Sequence, residues 1–108
     1  MFGLSFDTKN VSVQQAYEKL GTPNHCLLDV RSMDEVRDIG VEGALNIPLD
    51  ILEAHIDQLT PYTSIHVMCR TGGRSAVATN ILQRLGMTHA VNVSGGILAW
   101  QEANLPTV

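Results

Sequence analysis

The sequence lacks the features that identify several broad classes of protein. Only two of its 108 residues are cysteines, too few for the disulfide framework of a small secreted domain. Its seven Lys and Arg residues form no continuous run and are outnumbered by eleven Asp and Glu. Its apolar runs are a few residues long, far short of the ~20 that a membrane-spanning helix needs. The first seven residues contain no basic region and include an acid, unlike a signal peptide. We therefore expect a cytoplasmic protein that binds neither nucleic acid nor membrane.

Aromatic residues are also scarce, at 5%, although hydrophobic residues make up 44% of the chain. The core must therefore be built from Leu, Ile, Val, Ala and Met. A disordered chain would contain fewer apolar residues and more charged residues than the 17% found here, so the composition indicates a folded protein. The length predicts a single domain that covers residues 1–108, because domains usually contain ~100–200 residues.

Short apolar segments alternate with segments of helical periodicity along the whole chain. Strands are predicted at 26–30, 44–47, 64–68 and 90–93, and helices at 11–20, 32–39, 49–59, 75–85 and 97–102. The apolar side of the helix at 75–85 is expected to carry Val77, Ile81, Leu82 and Leu85. Ser12 with Gln15 and Ser32 with Glu35 have the spacing of a capping box. This alternation indicates an α/β fold with a central, mainly parallel sheet and helices on both faces. Sites in such folds form at the carboxyl ends of the strands.

The segment from Cys69 to Ser75, Cys-Arg-Thr-Gly-Gly-Arg-Ser, lies at such a strand end and leads directly into a predicted helix. Its two glycines permit a tight turn whose backbone N–H groups converge on one point. The helix amino terminus and two of the chain's seven basic residues add positive charge there. Such surroundings lower the pKa of a cysteine and favour its reactive thiolate. A strand-end cysteine alone is usually a small buried hydrophobe, but the whole combination favours a functional loop.

This loop resembles the active-site loop of the rhodanese-like sulfurtransferases. The flanking segments are similar to that family's blocks in the same order, at 27–31 (Leu-Leu-Asp-Val-Arg), 43–49 (Gly-Ala-Leu-Asn-Ile-Pro-Leu) and 93–100 (Val-Ser-Gly-Gly-Ile-Leu-Ala-Trp). The resemblance covers almost the whole chain and implies a single-domain member with the rhodanese-like fold. One departure is that Ile39-Gly40 stands where many members have Gly-His. That histidine is usually structural, so the departure has little bearing on catalysis.

The resemblance implies a sulfurtransferase that works without a metal or other cofactor. Cys69 would take a sulfane sulfur from thiosulfate or a related donor, carry it as a persulfide, and pass it to a thiol or cyanide. The anion-binding loop would consist of Arg70, Thr71, Gly72, Gly73, Arg74 and Ser75. By the same resemblance, Asp29 supports the loop by pairing with Arg70. Arg74 would meet the sulfonate of the donor, since its planar fork suits an oxyanion.

Two alternative functions share this fold. The first is a cysteine phosphatase or arsenate reductase, whose loop has five residues between its cysteine and its arginine. Here only four residues separate Cys69 from Arg74, and the shorter turn suits a single sulfur better than a phosphoryl group. The second is a persulfide carrier or regulatory module that serves a protein partner, such as a member of a sulfur relay.

Other polar residues are predicted to have structural or solvated positions. Cys26 and Trp100 are expected in the core, and Gly95-Gly96 is expected to form a turn whose backbone can line the pocket. Arg31 is expected to be solvated or, because it follows a strand end, to reach the rim of the site. The acids of the second helix, Asp34, Glu35 and Asp38, are expected to be solvated. The four histidines have no metal-ligand spacing, so no zinc site is expected.

Overall fold

The computed structural model describes residues 9–108. The first seven residues, in which no signal peptide was predicted, lie outside this range. Five parallel strands form one sheet in the order β1-β5-β4-β2-β3. The strands are β1 (Asn10–Val11), β2 (His25–Asp29), β3 (Leu45–Asn46), β4 (Ser64–Met68) and β5 (Ala90–Val93). The α-helices are α1 (Val13–Lys19), α2 (Met33–Asp38), α3 (Gly73–Arg84) and α4 (Gly96–Glu102). No helix within residues 9–108 is both long and apolar enough to cross a bilayer.

The two faces of the sheet are covered by separate apolar cores, as the predicted α/β fold requires. Side chains that alternate along β2 and β4 point to opposite faces. On one face, residues such as Leu28 and Val67 pack with Leu82 of α3. On the other, Leu27 and Met68 pack against α1 and α4 in the cluster that contains Trp100. The predicted fold class and the core position of Trp100 are confirmed.

Both predicted capping boxes are present and fix where the first two helices begin. The Ser12 hydroxyl accepts a hydrogen bond from the Gln15 backbone N–H at 3.1 Å, and the Gln15 side chain accepts one from the Ser12 N–H at 2.8 Å. Ser32 and Glu35 repeat this arrangement at the start of α2. These reciprocal bonds satisfy amide donors that a helix start otherwise leaves without partners.

Three predicted details are wrong. Val11 belongs to strand β1, which pairs with β5, and not to the first helix. Residues 49–59 form two 3₁₀ helices, Leu49–Ile51 and Glu53–Leu59, instead of one α-helix. The three-residue spacing of the apolar pairs 49/52 and 56/59 fits the three-residue turn of a 3₁₀ helix.

The third wrong detail is the packed face of the helix at 75–85, which was expected to include Val77 and Leu85. Val77 in α3 and Leu85 directly after it are about half exposed, at 52% and 50%. Ala78 and Leu82 are fully buried instead, together with the small polar residues Ser75 and Thr79. The helix therefore turns a partly polar face to the sheet, and this face brings Ser75 under the loop.

Candidate active site

The loop singled out in the sequence connects β4 to α3 at the carboxyl edge of the sheet. Cys69 follows the last residue of β4, and Gly72 adopts the left-handed conformation, with φ at +115°, that lets the chain turn into α3. A residue with a Cβ atom rarely adopts this conformation, so the glycine is needed for the turn. The loop therefore places the Cys69 side chain beside the amino terminus of a twelve-residue helix.

The Cys69 sulfur accepts hydrogen bonds from this helix start. The backbone N–H of Gly72 donates to Sγ at 3.1 Å and the Ser75 hydroxyl donates at 3.2 Å. Burial raises the pKa of the thiol, but hydrogen bonds from the Ser75 hydroxyl and from the backbone N–H groups of Ser75, Gly72 and Thr71 outweigh it. The net effect is a pKa below the ordinary value for cysteine. The loop is thus arranged to stabilise a thiolate on Cys69.

Cys26 provides the contrast within the same chain. It is the second residue of β2 and is buried in the core, as expected. Burial raises the pKa of its thiol to about 11. Near neutral pH Cys26 is therefore a protonated thiol, whereas the surroundings of Cys69 favour its thiolate.

The glycine pair at 95–96 was expected to form a turn, and it also contacts the start of the loop. Gly96 has a positive φ of +56°, and its backbone lies against the carbonyl groups of Cys69 and Arg70. The next two amides of α4 donate to those carbonyls, Ile97 to Cys69 at 2.8 Å and Leu98 to Arg70 at 3.2 Å. The loop is therefore fixed to α4 by backbone contacts that require a residue without a side chain at position 96.

Gly96→Ala is expected to destabilise the protein and reduce the reactivity of Cys69. A Cβ atom there would lie 2.6 Å from the Arg70 carbonyl oxygen, so the loop must shift. Overpacking together with backbone strain costs about 2–4 kcal/mol. Thermal unfolding and the rate of Cys69 alkylation measure the two effects.

Gly86→Ala is the matched control for that substitution. Gly86 has a φ of +96°, yet nothing lies within 4 Å of the position of an added Cβ atom. Its loss of stability reports the backbone strain alone, and its alkylation rate should stay at the level of the unaltered protein. Equal losses in both variants would show that Gly96 does not fix the loop.

The predicted ion pair between Asp29 and Arg70 is wrong. The Asp29 carboxylate instead binds Arg31, whose Nη2 lies 2.8 Å and whose Nε lies 3.1 Å from its two oxygens. Arg31 was expected to be solvated but is only 2% exposed, and its Nη2 also donates to the Ile39 carbonyl at 2.8 Å. Residues two apart along an extended segment lie on the same side, which explains the pairing. The pair ties β2 to the end of α2.

The two arginines of the loop have different surroundings. Arg74 donates two hydrogen bonds to the Glu35 carboxylate, at 2.6 and 2.8 Å. Glu35 is thus not part of a solvated face, unlike the exposed Asp34 and Asp38. The hydrogen bond from Arg74 lowers the pKa of Glu35 to about 2. The guanidinium of Arg70 is exposed and has no hydrogen-bond or ion-pair partner within residues 9–108.

Two of the histidines form a pair on neighbouring strands of the sheet. The rings of His25 and His66 pack edge to face with centroids 4.4 Å apart, on the first residue of β2 and within β4. Burial, with smaller contributions from His25 and Lys19, lowers the pKa of His66 to about 4. Within residues 9–108, no three His, Cys, Asp or Glu side chains group in a way that holds a metal ion.

The structure brings together most of the residues that the sequence singled out. Cys69, Gly72 and Ser75 share hydrogen bonds, and Arg74 adjoins them in the first turn of α3. Sequence reasoning missed the contribution of Glu35 and underestimated that of Gly96. The spacing of Ser32 and Glu35 predicted that Glu35 caps the start of α2. It gave no indication of the contact between Glu35 and Arg74, which is 39 residues away.

Comparison with known proteins agrees with this geometry. The Rhodanese-like domain family matches residues 12–103. The thiosulfate sulfurtransferase GlpE of Tolumonas auensis is 32% identical over 91 residues, which cover 84% of this chain and 86% of GlpE. A rhodanese-related protein of Thermoplasma volcanium has a crystal structure that superposes with a TM-score of 0.83 at 31% identity, covering 93% of this chain and 97% of that one.

A third relative combines such a domain with further sequence. YrkF of Bacillus subtilis, whose name describes a sulfur carrier, is 30% identical over 74 residues. The match covers 68% of this chain but only 40% of YrkF.

Proposed function

Because the chain belongs to the Rhodanese-like domain family, we propose that it moves a sulfane sulfur from thiosulfate or a related donor to a thiol or cyanide, through a persulfide on Cys69. The observation that carries this proposal is the surroundings of the Cys69 sulfur. Two hydrogen-bond donors lie within 3.2 Å of it, and its thiol has a lowered pKa. The names of relatives such as GlpE support sulfur transfer as the class of reaction.

In the first half-reaction the Cys69 thiolate attacks the outer sulfur of thiosulfate. A new S–S bond forms, the S–S bond of the donor breaks, and sulfite leaves with the bonding electron pair. The product on the enzyme is a persulfide anion, so the total charge is unchanged. The Gly72 N–H and the Ser75 hydroxyl can stabilise this anion as they stabilise the thiolate. Because sulfite leaves as a stable anion, no general base is required.

The geometry favours sulfur over a phosphoryl group as the transferred unit. The donors of the loop converge on the single sulfur atom of Cys69, and only four residues separate Cys69 from Arg74. A phosphatase loop instead has to present its amides and its arginine to three phosphoryl oxygens. A carrier that hands its persulfide to a protein partner is the second candidate function, and the name of YrkF favours it.

Steady-state assays separate these functions. We expect turnover with thiosulfate and cyanide and no hydrolysis of an aryl phosphate. A carrier would show slow turnover with thiosulfate but rapid sulfur uptake from a persulfidated donor protein. Hydrolysis of the aryl phosphate without any use of thiosulfate would contradict the proposal.

Arg74 is the proposed contact for the sulfonate of the donor, although Glu35 shares it. In the free enzyme the Glu35 carboxylate lies where such an oxyanion would bind the guanidinium, with N–O distances of 2.6 and 2.8 Å. Binding of the sulfonate must then compete with Glu35. The strength of the Glu35 contact therefore sets how tightly an anionic donor is held.

Arg74→Ala and Glu35→Gln should change the KM for thiosulfate in opposite directions. Arg74→Ala removes a charge-assisted hydrogen bond and should raise KM about tenfold with a smaller effect on kcat. Glu35→Gln removes the competing carboxylate and should lower KM severalfold. Asp34→Asn is the control, because Asp34 is exposed on the same helix and pairs with Arg37 instead. A higher KM in both Glu35→Gln and Arg74→Ala would show that the pair only shapes the loop.

A further inference from the structure

The two buried histidines on the central strands of the sheet take no part in the chemistry of Cys69. His25 is the first residue of β2, and His66 is the third residue of the neighbouring strand β4. Residues two apart along a strand share a face, so both rings lie on the face that α1 and α4 cover. The ring centroids are 4.4 Å apart, and the two residues are only 9% and 7% exposed. Two titratable groups are thus held in contact inside the protein.

The hydrogen bonds of this pair suit neutral rings. The Nδ1 atom of His25 lies 2.9 Å from the Ser64 hydroxyl oxygen. The Nε2 atom of His25 and the Nδ1 atom of His66 are buried and have no hydrogen-bond partner within residues 9–108. In a neutral ring such an atom can be the bare nitrogen, but a protonated ring carries an N–H donor at both nitrogens. Protonation of either ring therefore creates a buried charge with an unpaired donor, which is costly.

The charged residues near the pair also oppose a proton. Those on the helices that cover this face are Glu18 and Lys19 of α1 and Glu102 of α4. At the other end of β2, the Asp29 carboxylate is bound by Arg31. Of these charges Lys19 alone contributes to the pKa shifts of the two rings, and it is a cation. Burial is the largest cause that lowers both pKa values, and with Lys19 and the neighbouring ring it brings that of His66 to about 4.

We propose that the His25–His66 pair is a pH-sensitive switch, which permits β2 and β4 to pair under α1 while both rings are neutral and destabilises the fold in mild acid. The inference is independent of the proposed sulfur transfer, because it concerns the folded state alone. Its consequence for the site is indirect: Cys69 follows the end of β4, so the loop around it is lost when the fold is lost.

The direction of the effect follows from proton binding. In the unfolded chain a histidine takes up its proton near pH 6.5. In the folded protein the pKa of His66 is about 4, and that of His25 is also lowered. Below pH 6.5 the unfolded state therefore binds more protons than the folded state, and stability falls with falling pH. For His66 this loss is complete only when the pH has fallen below about 4.

Urea unfolding of the unaltered protein at pH 7.5 and at pH 5 measures the switch. The pKa difference at His66 alone should raise the unfolding equilibrium constant about 25-fold between these two pH values. His25 should add to this increase, since its pKa is lowered too. The lower limit of pH 5 keeps most carboxyl groups ionised in both states, so they contribute little.

Variants assign this pH dependence to the pair. The double variant His25→Leu/His66→Leu should lose most of it, and each single variant should keep part of it. The variants should fold at pH 7.5, because each removes a buried ring nitrogen without a partner. His89→Gln is the matched control, since His89 is exposed, and it should keep the full pH dependence. The same pH dependence in the double variant as in the unaltered protein would overturn the proposal.

NMR of the histidine rings tests the switch in the unaltered protein, even if a variant does not fold. At pH 5 the ring ¹⁵N signals of His66 in the folded protein should be those of a neutral imidazole. A ring that merely fills space in the core would not need to resist protonation in this way. Signals of a protonated His66 ring in the folded protein at pH 6 would refute the proposal.

Discussion

Cys69→Ser should abolish sulfur transfer, and Cys26→Ser should leave most of it intact. The two cysteines are both buried, but among the contacts within residues 9–108 only Cys69 has hydrogen-bond donors on its sulfur, and its pKa is lowered whereas that of Cys26 is raised. A serine hydroxyl stays protonated near neutral pH and cannot form a persulfide, so turnover should fall by several orders of magnitude. Turnover with thiosulfate and cyanide, measured for both variants at equal protein concentration, gives the result directly.

Cys26→Ser also controls for the loss of a sulfur atom. It places a hydroxyl in the core, so a loss of about 1–3 kcal/mol in stability is expected even though the active-site loop stays intact. Turnover should be measured at a temperature where this variant remains folded. Turnover by Cys69→Ser comparable with that of the unaltered protein would remove the nucleophile from the mechanism.

Asp29→Ala should be the most destabilising of the charge-removing substitutions. It leaves the Arg31 guanidinium, which is 2% exposed, without its carboxylate in the interior. Removing one partner of a buried ion pair typically costs about 3–5 kcal/mol. Urea unfolding measures the loss. If Asp29→Ala does not fold, Asp29→Asn keeps the shape and removes only the charge.

Double-mutant cycles identify the partner of Asp29. The effects of Asp29→Asn and Arg31→Met should be strongly non-additive, because each substitution alone leaves the other charge uncompensated. The effects of Asp29→Asn and Arg70→Ala should add, since Arg70 is exposed and does not contact the carboxylate. Larger coupling to Arg70 than to Arg31 would restore the pairing that the family resemblance suggested.

How well the sequence predicts a contact depends on how far apart along the chain the two residues lie. Local signals were reliable, because the capping boxes at Ser12 and Ser32 use atoms three residues apart. The active-site turn was also predictable, since Gly72 and the helix that follows it are adjacent to Cys69. Even the pair of Asp29 with Arg31 could have been predicted, because residues i and i+2 lie on the same side of a strand.

Contacts between residues far apart along the chain could not be predicted in this way. Which of several helix acids meets Arg74 depends on how α2 packs over the loop, and no local pattern encodes that packing. The contact of Gly96 with the Cys69 and Arg70 carbonyls likewise depends on the position of α4 at the sheet edge. A pair of glycines before a helix is compatible with an ordinary turn, so sequence alone does not reveal a close backbone approach.

Mass spectrometry of the intact protein after incubation with thiosulfate tests the central claim most directly. The account predicts a mass increase of one sulfur atom that peptide mapping places on Cys69, that persists in Cys26→Ser and that cyanide removes. An unmodified Cys69 under conditions where the protein is folded, or the added sulfur on Cys26, would contradict it.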